Sequence, residues 1–176
     1  MNFRVFARIA CIAACALAAA RAGAQASPCD DPTYAREFKV YYPNEINRVY
    51  LDEQRQRQAW SARADAIGTQ LAASGAMSKE AHASYRLELS RRQDIAELDG
   101  RIAQAAEEFR ERNVALQGVP VVQLLDPARP NRAWCMLASS ALDALKNKVA
   151  IEGRQWQMID QALLAGAASK GVHFAN

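Results

Sequence analysis

Apolar positions recur along most of this chain at alternating spacings of three and four, the repeat of a helix that presents one face to a neighbour. From a candidate N-cap at Asn44, the residues Ile46, Tyr50, Trp60, Ala64, Ile67 and Leu71 share one stripe, with Glu53 and Arg57 between them. That face is apolar at both ends and polar in the middle. Ser74 and Gly75 close the pattern, and Ser78, preceded by Met77, supplies the next cap. A second stripe passes through Ala81, Tyr85, Ile95, Leu98, Ile102, Ala105, Phe109 and Leu116 until Gly118 and Pro120 stop it. A third carries Trp134, Leu137, Ala141, Leu145, Val149, Trp156, Ile159 and Leu163, with Gly153 as a candidate kink and a fraying tail from Gly166.

The spacing predicts an all-α fold with helices over about 45–74, 79–117 and 131–165. The short Gly-Ser turn makes the first two an elongated antiparallel helical hairpin, to which a third long helix is added. A short helix is expected over Tyr34 to Tyr42, ending at Pro43. Val119 to Leu125 reads as a small strand or a helical turn, and Asp126 to Pro130 as a rigid linker.

The first 26 residues follow a different rule. Arg4 and Arg8 precede an apolar run from Ile9 to Ala20, and Ala24, Gln25 and Ala26 form a small-residue cleavage site before Ser27. Residues 1–26 are therefore expected to be a cleaved secretory signal peptide, too short in its apolar run for a comfortable membrane span. No stable membrane insertion is expected after cleavage, and the protein is expected to be periplasmic or secreted. Residues 27–43 then form an N-terminal segment and 44–176 a helical domain.

Removing the leader changes the charge balance. The chain has 22 Lys plus Arg against 19 Asp plus Glu, and Arg4, Arg8 and Arg21 lie in the leader, so the remainder carries 19 of each. A neutral chain argues against nucleic-acid binding, which requires cations facing phosphates. Export also gives meaning to the two cysteines that remain. Cys29 and Cys135 form an even pair without CxxC spacing, which in an oxidising compartment points to a structural disulfide tethering the N-terminal segment to the start of the third helix.

Candidate chemistry is sparse. His82 and His173 show no metal-ligand spacing, and no GxSxG, phosphate-cradling glycine loop or cysteine nucleophile with a partner base is present. His82 is expected to face solvent at its helix start. Neither catalysis, a cofactor nor a metal site is expected. Glu53 with Arg57, Glu88 with Arg92, Glu97 with Arg101 and Glu108 with Arg112 lie four apart and are expected to form solvated helix-supporting pairs. Trp60, Trp134 and Trp156 lie on apolar stripes and are expected between helices.

What remains points to protein binding. Tyr41, Tyr42 and Tyr50 cluster around Pro43, and with Trp60 and the Val119–Pro130 loop they are the candidate partner-binding residues. Leu51 to Gln56 slightly resembles the LTxxQ helix motif of the small Spy-like periplasmic chaperones, helical hairpins that cradle unfolded clients. The threonine is absent and the Leu-to-Gln spacing is one residue short. The expected function is that of an exported adaptor or chaperone that binds other proteins. A subunit of an envelope secretion or conjugation assembly is the alternative, and an enzyme the less favoured one. A core narrow for three long helices adds a homodimer to the expected partners.

Overall fold

The computed structural model describes residues 27–120, 128 and 130–174, and within them the regular structure is all helical, without strands. Residues 1–26, the expected leader, and residues 121–127, which hold most of the expected strand or turn, lie outside the described residues. Helix α1 spans Pro32–Ala73, α2 Lys79–Ser90, α3 Gln93–Gln117 and α4 Arg132–Ala168, with a single 3-10 turn at Pro28–Asp30 before α1.

The start of α1 corrects the expected boundary. Asp31 caps it, its carboxylate accepting from the Thr33 amide at 2.8 Å, and Pro32 occupies the first helical position. Pro43 lies inside this helix instead of ending the short segment before it. Ala35, Phe38 and Tyr42 continue the same buried stripe as Ile46 and Val49, so packing offsets the backbone hydrogen bond that proline cannot make. Residues 32–43 are thus part of the main helix, and the part of the N-terminal segment outside it is the 3-10 turn with its flanking caps. At the other end, Gly75 adopts φ +70, the Ala76 amide donates to Leu71 O at 3.0 Å and the Gly75 amide to Ala72 O at 3.1 Å. This is a Schellman stop, which a residue with a Cβ would adopt only under strain.

The expected second helix is two helices. It breaks at Arg91 and Arg92, the latter with extended backbone at φ −60 and ψ 139. In one unbroken helix Leu89 and Ile95 would point about 120° apart. The break brings both into the core, at 4% and 0% exposure. Arg92 consequently pairs with Asp94 at 2.6 Å across the break instead of with Glu88.

Helix α4 is the axis of the bundle. It lies between α1, which runs parallel to it, and α3, which runs antiparallel to both; α1 and α3 touch through side chains, Tyr50 on Phe109 and Tyr42 on Asn113, while each packs mainly on α4. Near its start α4 joins Tyr42, Val49, Leu116, Ala138, Ala141, Leu142 and Leu145 in one core, and near its end Leu163 and Ala167 meet Ala64, Ile67, Leu71 and Leu89 in another. Ala105 and Leu98 of α3 pack on Ile151 between them. The helix passes through Gly153 without ending, and the ring of Trp60 lies over that glycine. The tail does not fray: after Ala168, Val172 and Phe174 fold back onto the lower core.

The Cys29–Cys135 disulfide is present, with Cα atoms 5.7 Å apart across a sequence separation of 106. Beside it Arg132 bonds Asp30 at 2.6 Å, so the 3-10 turn is fixed to the first turn of α4 by one covalent bond and one ion pair.

Candidate functional site

Between the two ends of the α1–α4 seam, where the sequence turns from apolar to polar, the structure encloses four charges. Lys148 Nζ lies 2.9 Å from Glu53 Oε1 and 2.9 Å from Glu152 Oε1. Arg57 Nη2 reaches both carboxylates at 2.7 Å. Glu53 is 8% exposed and Glu152 6%, so these are buried carboxylates and Glu53–Arg57 is not the solvated surface pair its spacing suggests. Burial pushes the Glu152 carboxyl upward, but hydrogen bonds from Lys148 and Arg57 prevail and hold it below the ordinary range. Lys148 is held above its ordinary value: burial pulls it down, and the hydrogen bonds to Glu152 and Glu53 more than offset that. One further oxygen on each carboxylate, Oε2, is buried without a hydrogen-bond partner among the described residues. Two cations balance two anions, so the cluster leaves no net charge to attract an ionic ligand; its chemistry is that of a structural clamp.

Next to the clamp, Trp60 and Trp156 stack with centroids 6.1 Å apart and planes 16° from parallel. Both are half-buried, joining α1 to α4 as expected of residues between helices. An open groove of about 380 Å³ runs beside the same seam, lined by Arg48, Asp52, Gln56 and Lys146 around Val49 and Val149. Among the described residues, no group of three or more His, Cys, Asp or Glu side chains is placed to hold a metal ion.

The structure separates the four candidate binding residues. Tyr42 is 7% exposed, lies edge-on to Trp134 at 5.4 Å and donates to Asn113 Oδ1 at 3.4 Å; it is a core residue and not a contact for partners. Trp60 belongs to the stacked pair. Tyr50 remains 44% exposed, its ring edge-on to Phe109 of α3, and Tyr41 is 58% exposed. His82, expected in solvent, is 5% exposed and packed on Gly68. Its burial follows from the glycine on the facing helix, a partner that spacing within α2 does not reveal.

A surface feature that single-stripe reading missed lies on the outer side of α1. Val40, Asn44, Asn47, Leu51, Gln54 and Gln58 follow one another at spacings of four and three, and all six are exposed and uncharged. They span about 27 Å of helix. The charges alongside are neutralised locally, Arg48 by Glu45 and Arg55 by Asp52 at 3.2 Å. This is the spacing of a coiled-coil seam, with apolar residues at two positions and amides at the other four. It was available in the sequence, but the stronger buried stripe on the same helix masks it.

No helix among the described residues is long and apolar enough to cross a membrane. No family model, no curated protein and no solved structure matches the chain.

Proposed function

We propose that this is an exported helical protein-binding protein, an adaptor that receives a helix of another protein along the outer seam of α1. The observation that carries the reading is the uncharged, exposed stripe from Val40 to Gln58 in a helix that is otherwise dense in charge. Apolar residues with amides at seam positions suit a partner helix. The amides set register and the two apolar residues supply burial. The disulfide supports placement in an oxidising compartment such as the periplasm, and the leader-like first 26 residues agree with export.

The test is capture from the envelope of the producing cell, comparing the wild-type chain with Leu51→Glu. The variant places a charge on an exposed position, and equal melting temperatures verify that its fold is intact. The proposal expects one or more envelope proteins to be retained by the wild type and lost by the variant. Equal capture by both would overturn the assignment to this seam. A single partner at fixed stoichiometry would identify an assembly subunit, and many unrelated clients a chaperone.

A further inference from the structure

At the end of the bundle remote from the disulfide, α2 rests on α1 through an unusually close contact. The His82 ring lies over Gly68, and a methyl group on that glycine would come within 2.7 Å of Cε1. Glycine is required there because the imidazole occupies the space of a side chain. Nε2 is buried and has no hydrogen-bond partner among the described residues. A neutral imidazole can tolerate this, but an imidazolium must donate from both nitrogens and carries a charge into a desolvated site.

The charged groups acting on the ring are Arg86, on its own helix, and Asp65, on α1. They pair with each other at 2.8 Å, so Asp65 is already engaged. Helix α4 meets α2 through Tyr85, whose hydroxyl donates to Ala162 O at 3.4 Å, and no charged group of α4 among the described residues acts on the ring. Burial first, and Arg86 second, push the imidazole below its ordinary pKa, with Asp65 opposing them.

Helix α2 is also a separately bounded unit. It has 12 residues, bounded by the turn at Gly75 and the break at Arg91 and Arg92. Its seat is made of Leu89 and Tyr85 against Leu71, Leu163 and their neighbours.

We infer that α2 is an acid-released latch: protonation of His82 detaches α2 from α1 and uncovers the apolar cluster around Leu71 and Leu163. The sign follows from the neutral ring being the seated form. The contact is fully stable above the ordinary histidine pKa and weakens as pH falls below it, because the open state takes up the proton more readily.

Hydrogen–deuterium exchange of the disulfide-intact protein at pH 7.5 and pH 5.0, corrected for intrinsic rates, tests this. Opening of residues 79–90 should increase several-fold, up to about 30-fold, at the lower pH relative to α3. In His82→Gln the acid response should disappear. Gly68→Ala, which expels the ring, should leave α2 open at both pH values. An acid response that is absent from the wild type overturns the latch, as does one that persists in His82→Gln. So does a Gly68→Ala protein that behaves as wild type.

Discussion

Replacing Lys148 by methionine tests whether the buried clamp is as tightly balanced as its geometry implies. The substitution keeps most of the side-chain volume and removes a cation that lies 2.9 Å from each of two buried carboxylates. Losing one partner of a buried ion pair costs about 3 to 5 kcal/mol, because the remaining charge stays desolvated. Here Arg57 still bridges Glu53 and Glu152, but its side chain is half exposed and its field partly screened. The lower end, about 3 kcal/mol, is therefore expected, or a fall of about 6 to 12 °C in Tm for a chain of this size.

The pH dependence gives the prediction a second sign. In the wild type, Glu152 is held below the ordinary carboxylate range and Lys148 above the ordinary lysine value. The Glu152 contribution is present at neutral pH and lost as pH falls through its lowered pKa; that of Lys148 is lost as pH rises through its raised one. Without Lys148, burial of Glu152 is opposed by Arg57 alone and its carboxyl is pushed upward. The variant should therefore be stabilised on going from pH 7 to pH 5, while the wild type is not. Urea unfolding of both proteins at the two pH values measures this. A Lys148→Met protein within 1 kcal/mol of wild type at pH 7, or one whose deficit does not shrink at pH 5, would refute the reasoning.

Two further outcomes follow from the upper half of the molecule. Reducing the Cys29–Cys135 bond, whose partners are 106 residues apart in sequence, should cost about 4 to 5 kcal/mol in urea unfolding through the freed entropy of the unfolded chain. A loss under about 1 kcal/mol would show that the 3-10 turn and the start of α4 hold together without it. Pro43→Ala should stabilise the protein by about 1 to 3 kcal/mol in the same assay, since it restores an amide donor in the middle of α1; unchanged or lower stability would mean that the helix has fully relaxed around the ring.

The fold class, two of its four helix starts (those of α2 and α4) and the disulfide were legible from periodicity, caps and cysteine count. What escaped depended on neighbours distant in sequence. Pro43 reads as a helix stop until Phe38 and Tyr42 are seen packing on Trp134 with the same face that carries Ile46. The break at Arg91 is invisible to local propensity, because it exists to bring Leu89 and Ile95 into separate contacts with α4. His82 has the composition of a surface residue, and only Gly68 across the interface makes room for its ring. The polar centre of the α1 stripe was visible, yet Glu53 and Arg57 need Lys148 and Glu152 from α4 to become a buried network. Of the candidate binding residues, spacing could not separate Tyr42, which points inward, from Tyr41, its exposed neighbour.

The most direct test of the binding account is a scan of photo-crosslinking side chains along α1 in the producing cell. Positions 40, 47, 51 and 54 sample the proposed seam, and position 143 samples the exposed outer side of α4. The account predicts crosslinks to another protein from the four seam positions and none from 143. Equal yields at all five positions, or none from the seam, would contradict it.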